Sequence, residues 1–216
     1  MAESDNPVEK RVAAIILAAG GSKRMGQPKL LLDWHGAPLI RWVALTALNA
    51  GCSPVVVVTG ASAERVQHAL DGLPLGFTHN PDWQKGQSTS VKLGVNALPE
   101  NADAVIVFLG DQPHIPLRVP QKLMQIFREE NPAEPILAPA FNGKRSNPVL
   151  LARAIFAPLA GLAGDAGARM IFSQYPVRLV PFDDPDLLLD VDLPEDYQRL
   201  TEIPAPRYMD DSESPI

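Results

Sequence analysis

A single cysteine, Cys52, stands in the 216 residues, so no intramolecular disulfide can staple the chain. Positive charge is also short: Lys and Arg total 19 against 25 Asp and Glu, a formal net charge of -6. That balance lacks the long-range attraction behind most non-specific binding to nucleic acid or anionic membranes. Neither is expected as a partner, and any bound anion must be held by a local site. No apolar run approaches the roughly 20 residues of a membrane-spanning helix. The longest are strand-sized, such as Val55-Val56-Val57-Val58. The opening Met1-Ala2-Glu3-Ser4-Asp5-Asn6 has neither the basic nor the apolar region of a signal peptide, which makes the cytoplasm the expected location. Also missing are the Gly-Lys-Ser/Thr of a Walker A loop and the Gly-x-Gly-x-x-Gly of a dinucleotide fold. His35, His68, His79 and Cys52 lack the spacing of a metal site.

What is present is enough apolar residue, 46%, to bury a sizeable core. Four short apolar runs, Val12 to Leu17, Val55 to Thr59, Leu75 to His79 and Ala104 to Leu109, alternate with helical periods beginning at Pro38, Ala61, Gln87 and Arg118. This rhythm predicts βαβ units. Runs that are apolar at every position suit a parallel sheet with helices on both faces. The first long helix should follow Pro38, present Leu39, Trp42, Val43, Leu45 and Leu48 to the sheet, and stop before Gly51. Beyond Pro135 the runs Ile136 to Ala140 and Val149 to Leu151 flank Asn142-Gly143, a hairpin signal, which predicts an antiparallel element at or near the sheet edge. One domain over residues 11–203 is expected, between polar tails at 1–10 and 204–216.

Two places carry chemistry. After the first strand comes Leu17-Ala18-Ala19-Gly20-Gly21-Ser22-Lys23-Arg24-Met25-Gly26-Gln27-Pro28-Lys29. Small residues let the backbone approach a ligand, and Arg24 and Lys29 add positive charge, a combination that suits an anion. Gly20-Gly21 alone would serve equally as an ordinary strand-to-helix turn. After the fourth strand comes Gly110-Asp111-Gln112-Pro113, where open α/β sheets place ligands. A carboxylate there can hold Mg²⁺, which prefers one or two carboxylates plus phosphate oxygens, so a second acid should come from elsewhere. Asp190-Val191-Asp192-Leu193-Pro194-Glu195-Asp196 is the candidate, although Asp192 is equally placed to cap a helix starting at Pro194. His114, just past Asp111, is a weaker candidate for ligand contact.

The string Leu-Ala-Ala-Gly-x-Ser-x-Arg-Met-Gly-x-x-Lys-Leu-Leu, with Gly-Asp-Gln-Pro and Asp-x-Asp-x-Pro-Glu-Asp, resembles the signatures of MobA-like nucleotidyltransferases. Leu17-Ala18-Ala19-Gly20, rather than Leu-Ala-Gly-Gly, is similar to the branch that uses CTP in molybdenum cofactor synthesis. Asn80 to Val91 and Gly164 to Arg169 also look like that branch. The resemblance implies an open, mostly parallel Rossmann-like sheet of the nucleotide-diphospho-sugar transferase type. It also implies transfer of CMP from CTP to the terminal phosphate of molybdopterin, with Mg²⁺ as cofactor and pyrophosphate released. By the same resemblance, Leu17, Ala18, Ala19, Gly20, Gly21, Ser22, Arg24, Lys29, Gly86, Ser90 and Gly110 bind the nucleotide, and Arg24, Lys29 and Asp111 act in catalysis. Asp111 and Asp192 take the metal, with Asp190 as an outer partner. Asn147, Asp165 and Arg169 hold the pterin phosphate. Ser90 would otherwise be an N-cap, and Arg169 a surface arginine. Asn147 departs from the branch, which has histidine at this place. The alternatives are GTP as donor, a sugar or terpenoid phosphate as acceptor, or a non-catalytic nucleotide-binding chaperone that delivers cofactor to a recipient molybdoenzyme.

Overall fold

The computed structural model describes residues 10–160 and 172–206. Asp165, Arg169 and most of both expected tails lie outside the described residues. In chain order the elements are β1 (Val12–Ala18), β2 (Asp33–Trp34), β3 (Ala37–Pro38), α1 (Leu39–Asn49), β4 (Val55–Thr59), α2 (Ala63–Ala69), β5 (Gly76–His79), α3 (Gln87–Asn96) and β6 (Ala104–Leu109). They continue with α4 (Arg118–Gln125), β7 (Ile136–Phe141), β8 (Lys144–Arg145), β9 (Val149–Ala152), α5 (Phe156–Ala160), β10 (Val177–Pro181) and a last helix, α6 (Pro194–Thr201). Among the described residues no helix is long and apolar enough to cross a membrane.

The sheet runs β10-β7-β9-β6-β1-β4-β5, with β8 paired to β7. β9 lies antiparallel to both β6 and β7, and β8 antiparallel to β7; the other pairings are parallel. The central strand shows why its sequence is apolar throughout. Side chains alternate across a strand. Val12, Ala14, Ile16 and Ala18 meet Ile40, Val43 and Ala44 of α1 and Leu123 and Met124 of α4. Ala13 and Ile15 meet Val91 and Val95 of α3 and Phe156 and Leu159 of α5 on the opposite face. Each fully buried Val, Ile or Leu contributes about 1.5–3 kcal/mol here. Cys52 belongs to the first of these layers, and its burial pushes the thiol up to about 12, which makes it inert as a nucleophile.

The antiparallel element lies near the sheet edge, as expected, without forming the edge itself. β10, half-exposed and without a clear alternating pattern, takes the edge, so β7 is second and β9 third. Asn142 and Gly143 adopt positive φ values of 49° and 76°, the primed turn that Asn-Gly favours. This turn closes β7 onto the two-residue β8 instead of onto β9. Pro139 is accommodated because β9 pairs only with Ile136 and Leu137, so Pro139 owes β9 no donor.

A smaller core matters more for the site. Trp34, Ala37, Leu39 and Trp42 pack with Leu189, Val191 and Leu200, which docks the C-terminal segment on the β2-β3 hairpin and the start of α1. The Trp34 indole N–H donates to the Leu200 carbonyl at 3.0 Å, and that of Trp42 donates to the Trp34 carbonyl at 2.6 Å.

Candidate active site

β1 and β6 are parallel neighbours with Leu17 opposite Leu109, so the two chemistry-bearing loops leave the same end of the sheet side by side. The Gly110 amide donates to the Leu17 carbonyl at 3.0 Å. A Cβ on Gly110 would stand 2.9 Å from that carbonyl oxygen and from Ile40, so only glycine permits this approach. In the first loop Ser22 takes a left-handed conformation, φ 50°, and its hydroxyl accepts the Lys29 amide at 3.0 Å. Leu30 is buried in the layer beneath α1. Ser22 and Leu30 thus brace the backbone on either side of Lys29.

The Lys29 ammonium is the centre of the site. It contacts Asp111 Oδ2 at 2.5 Å and Asp192 Oδ1 at 2.9 Å, and donates to the Val191 carbonyl at 2.9 Å. Arg24 closes the cluster from the solvent side, at 3.0 Å from Asp192 Oδ2. Burial works against the Lys29 charge, but attraction by Asp111 and then Asp192 outweighs it and holds the ammonium above its usual value. The hydrogen bond from Lys29 holds the Asp192 carboxyl below the usual range against some burial, with further help from Arg24. Partial burial raises Asp190 instead, and the neighbouring Asp111 and Asp192 add to the rise while Gln112 opposes it.

Asp192 reaches Lys29 because Leu189 and Val191 are buried in the small core. In an extended segment this sends the side chains between and after them the other way. The capping role falls elsewhere. Leu193 occupies the N-cap position of α6, and the Asp196 carboxylate accepts the amides of Asp192 at 3.0 Å and Leu193 at 2.8 Å. Asp192 keeps its own carboxylate for the two cations.

Beside the cluster lies a cavity of about 230 Å³ lined by Leu17, Ala19, Gly20, Lys29, Leu30, Trp83, Gln87, Ser90, Leu109 and Asp111. Of the residues expected around a nucleotide, Leu17, Ala19, Gly20, Lys29 and Ser90 line it, whereas Ala18, Gly21, Ser22, Arg24, Gly86 and Gly110 do not. The Trp83 ring packs so closely on Gly21 that a Cβ there would lie 2.8 Å away, so this indole covers the loop. Ser90 is not an N-cap: α3 starts at Gln87 with Gly86 before it. Its hydroxyl instead accepts from the Asn80 side chain at 2.9 Å, and the same amide donates to Thr89 at 2.8 Å. Asn80, buried where β5 ends, thus orients the first turn of α3 towards the cavity. Asn80, Gln87 and Leu109 had no assigned role in the sequence reading, since only the juxtaposition of strand ends and helix start gives them one.

A second cavity, about 70 Å³, shares Leu17, Gln87 and Leu109 with the first and is otherwise lined by Val91, Val107, Val149, Leu151, Leu159 and Phe172, with Asn147. Asn147 is thereby brought beside the first cavity. His114 is not: it is buried, its ring Nε2 lies 3.0 Å from the Asp186 carbonyl, and it lines neither cavity.

Among the described residues no group of three or more His, Cys, Asp or Glu side chains is arranged for a metal ion. The donor set still fits Mg²⁺ arriving with phosphate. Asp111 and Asp192 converge on one positive centre, and that cation needs only one or two carboxylates when phosphates and waters complete its shell.

Comparison with known proteins bears on the family and the fold. The chain is 31% identical to nicotine blue oxidoreductase of Paenarthrobacter nicotinovorans, over 93% of this chain and all of that one. It is 26% identical to molybdenum cofactor cytidylyltransferase of Escherichia coli (89% and 98%), and 30% identical to the purine catabolism protein PucB of Bacillus subtilis (85% and 92%). Among solved structures, Rv0371c of Mycobacterium tuberculosis superposes with a TM-score of 0.77 at 27% identity, over 90% of this chain and 99% of that one. A structure of Rv0371c in complex with manganese superposes with a TM-score of 0.74 at 25% identity, over 90% and 100%. The likeness is spread over several distinct relatives and does not single out the cytidylyltransferase. Residues 14–179 match the model of the MobA-like NTP transferase domain, and the chain belongs to that family.

Proposed function

We propose that this protein is a divalent-cation-dependent nucleotidyltransferase that joins a nucleoside monophosphate to a phosphate-bearing acceptor and releases pyrophosphate. The observation that carries the reading is the Lys29 ammonium held between Asp111 and Asp192 beside the Ala19-Gly20 wall of the cavity. Without ligand these charges neutralise one another. A nucleoside triphosphate with its cation offers each a new partner: phosphate oxygens for Arg24 and Lys29, the cation for Asp111 and Asp192. When bound, the cation supplies charge neutralisation at the α-phosphoryl group. Lys29 and Arg24 then offset the charge that develops on pyrophosphate as the acceptor attacks in line. A phosphate monoester, with a second pKa of about 6, needs no strong general base, which agrees with His114 being occupied away from both cavities.

CTP is the proposed donor, on the strength of Leu17-Ala18-Ala19-Gly20 and of the cytidylyltransferase relative. The acceptor tested first is the terminal phosphate of molybdopterin. A second reading, another acceptor, is favoured by a specific feature: Asn147 faces a cavity whose other lining, Gln87 apart, is aliphatic or aromatic. Purified protein with Mg²⁺, CTP or GTP, and a panel of molybdopterin, sugar and terpenoid phosphates separates these by pyrophosphate release. Release with CTP and molybdopterin supports the first reading. No release with any pair overturns the transferase reading.

A further inference from the structure

The two acidic segments that meet at Lys29 are also tied to each other directly, by a residue with no assigned role. Gln112, next in sequence to Asp111, is buried, and its side-chain amide donates to Asp190 Oδ1 at 2.6 Å across 78 residues of chain. Leu189 and Val191, which flank Asp190, are anchored in the Trp34 and Trp42 core. The position of Asp190 therefore reports the position of the whole Asp190-Val191-Asp192 stretch. The other polar link between this stretch and Asp111 runs through Lys29. If Lys29 turns to a phosphate, that link is given up at the moment both carboxylates are needed in register, and the amide of Gln112 remains. Its carboxamide oxygen is buried and has no hydrogen-bond partner among the described residues.

We propose that Gln112 is a positioning residue of the cation site: by holding Asp190 it keeps the Asp192 carboxylate in place beside Asp111. This rests on the cation reading of the site given above. Residues that orient the ligands of a metal site change its affinity by about 10- to 100-fold when removed. The test is Mn²⁺ binding, alone and with CTP, followed by the paramagnetic resonance signal of free Mn²⁺, together with a thermal melt of each variant. Gln112→Met, close in volume but unable to donate, should weaken Mn²⁺ about 10-fold. Asp190→Ala, at a solvent-accessible position that does not threaten folding, should do the same, and the double variant should be no worse than either single one. Asp190→Asn should stay within about 3-fold of the parent, because two carboxamides can still bond. Unchanged Mn²⁺ binding in folded Gln112→Met overturns the role. So do additive losses in the double variant, or an Asp190→Asn loss as large as that of Asp190→Ala, which would make Asp190 a direct ligand. Should Gln112→Met not fold, the Asp190 pair decides alone. Absence of Mn²⁺ binding by the parent protein overturns the cation site itself, and this role with it.

Discussion

The two cavities share three wall residues and differ in almost everything else. The first is bordered by paired charges, Lys29 with Asp111 and Asp192, and by a loop whose shape depends on Ser22 and Gly110. The second is walled, among the described residues, by Val, Leu and Phe with two carboxamides, Gln87 and Asn147, as its polar lining. Charge suits a reaction class, because phosphoryl transfer builds up negative charge that cationic side chains, and a metal ion held by carboxylates, can offset. Apolar walls specify a shape, which many acceptors can meet. On that footing one family can hold relatives with names as different as those found for this chain.

If the division is real, substitutions should separate cleanly. The largest effect is expected from Lys29→Ala, a loss of about 10²- to 10³-fold in turnover, the scale of removing one preorganised charge stabiliser. The variant should stay folded with a lowered melting temperature, because Asp111 and Asp192 lose the cation they share. Pyrophosphate release and a thermal melt check both, and unchanged turnover in the folded variant would sink the assignment. Arg24→Ala comes next. The side chain is 69% exposed, so the expected change is about 10-fold, in kcat/KM for nucleotide, with acceptor KM untouched. Asn147→Ala tests the other cavity. Losing one neutral hydrogen bond of about 0.5–1.5 kcal/mol should raise acceptor KM about 2- to 10-fold and leave nucleotide KM alone. A change in both constants would break the distinction between the cavities.

The smallest effect is on stability against pH. Asp192 is held below its ordinary value, chiefly by the hydrogen bond from Lys29. Its stabilising contribution is therefore complete above the unfolded carboxyl value of about 3.9 and is lost as pH falls through the lower folded value. Lys29 is raised despite its burial. Its contribution is complete below the unfolded value of about 10.4 and is lost as pH climbs through the higher folded one. Because Asp192 is partly solvated, the pair is screened and the slopes are shallow. Melting curves of the parent and of Asp192→Asn between pH 2 and 5 should converge at the acid end. Parallel curves would remove the pairing as the cause.

Much of this molecule is legible in its residue order. The strand positions of β1, β4 and β6 follow from apolar runs that are buried on both faces, that of the exposed edge strand β5 from its place in the βαβ rhythm, and the primed turn from Asn142-Gly143. Local spacing also marks Arg24, Lys29 and Asp111, because a ligand loop after a buried strand has a recognisable composition. Periodicity does not reveal β10, whose half-exposed side chains show no clear alternation, so the edge strand that covers the antiparallel element is not legible in the sequence. Nor does local sequence separate capping from ligand contact at Asp192 and Ser90. Those choices were made at a distance: Lys29 meets Asp192 across 163 residues because Leu189 and Val191 bury themselves against Trp34 and Trp42. Gln112 meets Asp190 for the same reason. Local chemistry determines which side chains can do the work, whereas the burial of remote apolar faces decides which of them meet. That burial is non-directional and is set by the whole fold, so no short stretch of sequence contains it.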